Sequence, residues 1–222
     1  GSAKHSDVGA KLAVETTLSF LSGTEEFEKT GGMARWSKQP LKLDEIPPEE
    51  IIRPSATDIC EKVLMAFTRE AEAMNCQRED LNCTLLVFIA TSNWFAAIQI
   101  GDGFLVVRSE EGTPELIFQP DKGEFANETT FITSSDVLSQ LQVKTLPPQK
   151  FICAASDGLE RVALRFIDWS AFPPFFQPLE ECLQEATSDE EKEAYLQTFL
   201  ESERLNQRTS DDKTLLLCLN NS

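Results

Sequence analysis

At 222 residues and 41% hydrophobic content, the chain is long enough for one large core and short for two independent ones, so a single domain over residues 1–222 is expected. Thirty-seven acidic against 20 basic side chains leave a net charge of −17, which repels phosphate backbones and anionic bilayers and argues against nucleic acid and membrane as partners. No apolar run approaches the roughly 20 residues of a membrane span, and no signal peptide is expected, so a cytoplasmic monomer is the starting expectation.

From Asp7 to Leu21 the apolar positions Val8, Leu12, Val14, Leu18 and Leu21 recur at helical spacing, with Asp7 placed to cap the first turn. Gly31 to Pro54 carries Gly31-Gly32, Pro40, Pro47-Pro48 and Pro54, a punctuation density that predicts a long irregular segment. Ser55 is then expected to cap a second helix with a face of Ile59, Val63, Phe67 and Met74, ending near Asn75. After Asp80 the period changes to that of strands. CTLLVFIATS, NWFAAIQIGDG and FLVVRSEE predict antiparallel neighbours in a meander, continued by ELIFQP, FITSS and, after Pro147-Pro148, KFICAAS. Phe175 to Leu200 returns to helical spacing, and DDKTLLLCL closes the chain as a buried strand. The pattern predicts an α+β architecture in which sheet is covered by helices.

Six cysteines show no C-x-x-C pair, and several sit in apolar runs, which fits reduced core thiols better than a disulfide framework or zinc site. The single histidine, His5, is expected at the surface. Clustered Arg or Lys in a loop, which an unrelated phosphoanion-binding domain would need, are not seen.

Three apolar strands meet carboxylates: Asp102 in IQIGDG, Asp157 in AASDG, and Asp211-Asp212 in DDKTLLL. If these ends converge, repulsion among the carboxylates calls for a cation between them. A Mg²⁺ or Mn²⁺ pair would answer that need and clamp a phosphoryl group, making metal-assisted phosphate-ester hydrolysis the matching reaction class. Each acid also has a plainer reading. Asp102-Gly103 suits a two-residue hairpin turn, Asp157-Gly158 a strand-to-helix junction, and Asp211-Asp212 a solvated loop.

Taken in order, the segments resemble the metal-dependent protein serine/threonine phosphatases of type 2C, the PPM-type family, most closely a bacterial, cyanobacterial-like branch. GSAKHSDVGAKLAV resembles the stretch after that family's metal-binding Asp-Gly. NCTLLVFIA, AAIQIGDGFLVV, FICAASDGLE and SDDKTLLLCL are similar to its successive strand motifs, and GEFANETTFIT is typical of the branch. The resemblance implies a central antiparallel β-sandwich flanked by helices on both sides. It also implies hydrolysis of phosphoserine or phosphothreonine in a phosphoprotein substrate by a metal-activated water, with no side-chain nucleophile. Asp157 and Asp211 are the implied ligands of a dinuclear Mg²⁺ or Mn²⁺ centre, and Asp102 with Asp157 those of a weaker third ion. Asp212 takes the place of a family Asn. Family members carry an upstream strand and the bridging Asp-Gly before the point where this sequence starts. The expectation is therefore either a longer natural protein or an inactive fragment, and the alternative function is a non-catalytic scaffold or regulatory module with an incomplete metal site.

Overall fold

The computed structural model describes residues 3–22, 44–119 and 129–220. In chain order it contains α1 (Ser6–Ser22), α2 (Glu49–Met74), β1 (Leu85–Ala90), β2 (Phe95–Ile100), β3 (Phe104–Arg108), β4 (Glu115–Leu116) and α3 (Val137–Gln140). There follow β5 (Gln142–Leu146), β6 (Phe151–Ala155), α4 (Glu160–Ala163), β7 (Leu164–Arg165), β8 (Ser170–Ala171), α5 (Pro173–Glu185), α6 (Asp189–Glu201), α7 (Glu203–Asn206) and β9 (Leu215–Leu219). These elements pack into two compact units. The first holds Gly1–Asp102 and Asp121–Pro147, the second Gly103–Pro120 and Pro148–Ser222.

In the first unit, antiparallel strands run in the order β1-β2-β5, with Leu85 opposite Ile100 and Phe95 opposite Leu146. Ile98 and Ile100 share a core with Ile59, Val63 and Phe67 of α2. The face predicted for α2 is thus the buried one, but the helix starts at Glu49 rather than at a Ser55 cap. Glu49 and Glu50 occupy its first turn, where carboxylates favour the helix dipole, and fully buried Ile52 offsets the hydrogen bond that Pro54 removes. Asn75, at φ 53°, ends it in the left-handed conformation, where the sequence placed the end.

Helix α1 buries the predicted stripe only in part: Val8, Leu12 and Leu21 pack against the core, but Val14 and Leu18 do not. Gly9, Ala13 and Thr17 face inward, while Val14 and Leu18 are 53% and 60% exposed. Small residues win because the helix lies so close to its neighbour that a Cβ at Gly9 would stand 1.9 Å from the Leu81 carbonyl oxygen. FITSS forms turns rather than a strand, and the strand taken up beside β2 is instead QVKTL. Most of the irregular Gly31 to Pro54 segment lies outside the described residues.

In the second unit the order is β4-β3-β6-β9, all antiparallel, with Phe104 opposite Ala155 and Ala155 opposite Leu215. Phe104, Val106, Phe151 and Cys153 form its core with Leu159, Phe176 and Leu205 of the helical segments. The expected meander is corrected here: β2 and β3 belong to different sheets. Gly101, at φ 98°, turns the chain out of β2, and Asp102-Gly103 carries it between units instead of closing a hairpin. The predicted helical stretch after Phe175 is two helices, broken at Thr187-Ser188, where the Ser188 hydroxyl accepts from the Glu191 N–H at 3.2 Å. Arg108 of β3 reaches α5, its Nε donating to Glu180 at 3.0 Å.

Candidate functional site

Strand β6 is apolar throughout because it is a central strand: Phe151, Ile152 and Cys153 are fully buried. Its continuation is held by Ser156. The Ser156 N–H donates to the Thr214 carbonyl at 3.1 Å, and its hydroxyl accepts from the Thr214 N–H at 2.9 Å and donates to the Asp212 carbonyl at 3.2 Å. These bonds splice the loop after β6 to the loop before β9.

Asp157 then opens a single 3-10 turn, Asp157–Leu159, closed by the Leu159 N–H on the Ser156 carbonyl at 3.2 Å. Gly158 inside that turn meets the other loop directly. A Cβ there would lie 2.2 Å from the Asp212 carbonyl oxygen and 3.4 Å from the Asp211 Cβ. Asp157 and Asp211, 54 positions apart in the sequence, therefore occupy adjoining loops at one end of the same sheet. Asp157 is half-buried, and Asp211 and Asp212 are exposed. The Asp211 N–H donates to the Thr209 hydroxyl at 3.2 Å, and its Oδ1 accepts from the Asp212 N–H at 2.9 Å, which fixes its loop.

Asp102 lies in the first unit, half-buried after Gly101. Its Oδ2 accepts from the Thr129 hydroxyl at 2.5 Å, and Gln99 Nε2 donates to the Gly101 carbonyl at 3.1 Å. Thr129 was not singled out by sequence reasoning, although it stands in the phrase GEFANETTFIT.

The donors at the Asp157–Asp211 end are carboxylate and main-chain oxygens, the set that a hard cation such as Mg²⁺ or Mn²⁺ takes, so in kind the residues fit the implied metal. Among the described residues no group of three or more His, Cys, Asp or Glu side chains is gathered as a metal-holding cluster. The contribution of this end is therefore a pair of carboxylates.

Thiol chemistry is disfavoured at the buried cysteines by the same structure. All six cysteines are free, and burial pushes the Cys60 and Cys83 thiols up to about 12 and the Cys153 thiol higher still. A protonated thiol is the opposite of an activated nucleophile. His5 is half-buried rather than fully at the surface, and its main-chain N–H donates to the Asp80 carbonyl at 2.8 Å.

Comparison with known proteins identifies the family and the fold. The family model for protein phosphatase 2C matches residues 1–201. Serine/threonine-protein phosphatase 3 of Escherichia coli (strain K12) is 32% identical over 222 residues, spanning 99% of this chain and 80% of that protein. Among solved structures, a bacterial serine phosphatase superposes with a TM-score of 0.58 at 13% identity, covering 99% of this chain and 82% of that one. Serine-threonine phosphatase 2C from Toxoplasma gondii gives 0.59 at 12% identity, covering 95% and 80%. The catalytic domain of serine threonine protein phosphatase PstP, solved in complex with two manganese ions, gives 0.54 at 14% identity, covering 95% and 79%. Those structural likenesses establish the fold, and the family model with the Escherichia coli relative establishes descent: the chain belongs to the protein phosphatase 2C family of serine/threonine phosphatases.

Proposed function

We propose that this chain removes phosphate from phosphoserine and phosphothreonine in proteins with the help of divalent metal, Mg²⁺ or Mn²⁺, held in part by Asp157 and Asp211. The observation that carries this reading is the junction at Gly158, which brings two carboxylates from distant parts of the sequence onto touching loops. When bound, a pair of divalent ions supplies positive charge against the phosphoryl oxygens and lowers the pKa of a water that attacks phosphorus. The chain's own residues do the positioning. Ser156 locks the two loops, Asp211 is braced by Thr209, and Asp102, braced by Thr129, is assigned to a weaker third ion. The two-ion complex of the PstP catalytic domain supports the choice of metal.

The test is calorimetric titration with Mn²⁺ combined with hydrolysis of p-nitrophenyl phosphate by wild type and Asp157→Asn. Mn²⁺ binding with activity that the substitution abolishes supports the reading. Activity in the Asp157→Asn variant equal to that of wild type refutes it, and absence of both binding and activity leaves the phosphatase-like scaffold as the better description.

A further inference from the structure

The second unit carries a groove of about 670 Å³ whose walls differ in chemistry from the rest of this acidic chain. Phe172, Phe175, Leu179, Phe199 and Leu205 line it with apolar surface, and the Phe175 and Phe199 rings meet edge to face at 5.6 Å. Around it stand Arg161, Arg165, Arg204 and Arg208. Sequence reasoning found no basic cluster because these residues come from two segments some 40 positions apart; the i,i+4 pairs 161/165 and 204/208 were the available signal. All four are exposed, and none makes a salt bridge among the described residues. Arg165 lies over the Phe172 ring at 5.4 Å, and its charge helps keep the exposed Asp168 carboxyl below its usual range, an effect owed first to the Ser170 hydroxyl.

The turn between β7 and β8, which follows Arg165 of the groove in the chain, adds further exposed apolar side chains. There Ile167 is 95% and Phe166 48% exposed, and Phe166 packs edge to face on Trp169. A surface that mixes apolar walls with four separate guanidinium groups suits a peptide chain better than a compact small molecule. Aromatic and aliphatic walls accept apolar side chains, while guanidinium groups pair bidentately with carboxylates. In a protein with a net charge of −17, four exposed arginines that make no salt bridge among the described residues gather positive charge around one apolar groove. The same net charge disfavours polyphosphate chains, whose binding rests on many cationic contacts.

The groove is also tied to the candidate site by sequence. Arg161 sits on the short helix that follows Asp157, and Arg208 three residues before Asp211. We infer that this groove docks an acidic peptide segment bearing aromatic or aliphatic side chains, and, resting on the phosphatase reading above, that the segment belongs to the phosphoprotein substrate.

The experiment uses the full chain and a fluorescein-labelled, unphosphorylated peptide of Asp and Glu interspersed with Phe and Leu, read by fluorescence anisotropy. A peptide with Lys in place of the acids is the control. The acidic peptide is expected to bind at least tenfold more tightly than the basic one. Arg165→Glu/Arg204→Glu, with its fold checked by circular dichroism, is expected to reverse that order. Phe172→Ser is expected to weaken the acidic peptide severalfold. Phosphopeptides with acidic, Phe-containing flanks should show a raised KM in the charge-reversed variant. Equal binding of both peptides by wild type, or an unchanged order after charge reversal, overturns the proposal. So does an oligonucleotide or anionic vesicle that competes as well as the acidic peptide, because the surface is then a general anion site. Peptide binding as expected in a protein that fails to hydrolyse p-nitrophenyl phosphate upholds the groove and refutes the phosphatase reading separately.

Discussion

Gly158→Ala tests whether the two carboxylate-bearing loops are locked together. The added methyl would sit 2.2 Å from the Asp212 carbonyl oxygen and 3.1 Å from its carbon, far inside contact distance for groups that are both main chain on the receiving side. No side-chain rotation relieves this, so one loop must retreat by most of an ångström. Retreat strains the Ser156 bonds to Thr214 and Asp212, which span the same gap at 2.9–3.2 Å. Overpacking of this kind costs about 1–3 kcal/mol, and at this chain length each kcal/mol lowers the melting temperature by about 2–4 °C. A fall of about 2–12 °C is therefore expected in a thermal melt followed by circular dichroism. The same displacement should weaken Mn²⁺ binding, measured by calorimetry, because Asp157 and Asp211 flank the contact. A Gly158→Ala protein with wild-type melting temperature and wild-type Mn²⁺ affinity would refute the argument that Gly158 holds these loops in register.

The Arg108–Glu180 pair ties β3 to α5 with both side chains largely buried, 17% and 13% exposed, and the Glu180 carboxylate raises the Arg108 pKa by accepting its hydrogen bonds. Arg108→Met should destabilise by about 1–3 kcal/mol, and adding Glu180→Gln should recover part of that loss. A urea-denaturation cycle with strictly additive losses would contradict the coupling. The buried thiols predict an alkaline weakness. Cys60 and Cys83 have folded values raised from 9.0 to about 12, so stability is complete below pH 9 and falls as the pH rises from 9 towards 12 while only the unfolded state loses its protons. Denaturation midpoints measured at pH 8 and pH 10 should differ in that direction, and a thiol reagent at pH 8 should reach these two cysteines only after denaturant is added.

Legibility followed the physics of each signal. The face of α2 could be read because Ile59, Val63 and Phe67 are large, regularly spaced and buried for that reason. The face of α1 could be read only in part: Val8, Leu12 and Leu21 do pack on the core, but Gly9, Ala13 and Thr17 are buried by close approach rather than by hydrophobicity, and hydrophobic spacing adds the exposed Val14 and Leu18. QVKTL escapes a sequence reading because its alternation of Val143 with polar neighbours is brief and weak beside the continuous apolar runs. The break between β2 and β3 is hidden because Asp-Gly serves a hairpin and a change of sheet equally well, and strand pairing is decided by distant partners: β5 for β2, β6 for β3. Asp157 and Asp211 were visible as strand-end acids, but their adjacency depends on the pairing of β6 with β9. The arginine groove was invisible for the same reason, since its cations meet only once the hairpin and helices of the second unit have packed.

Among the described residues the sheet orders place β1 and β9 outermost, and their sequences, LLVFIA and LLLCL, contain no charge at all. Leu216 on β9 is half exposed, and an uncharged edge strand of this kind, where no further segment covers it, is a template for edge-to-edge growth with another copy. Mutual repulsion between molecules carrying −17 each opposes that association, and it reaches only about 8 Å at physiological ionic strength. The acidity of this chain thus serves as a colloidal safeguard, and concentrated salt, by shortening its reach, is the condition under which the protein should first begin to clump.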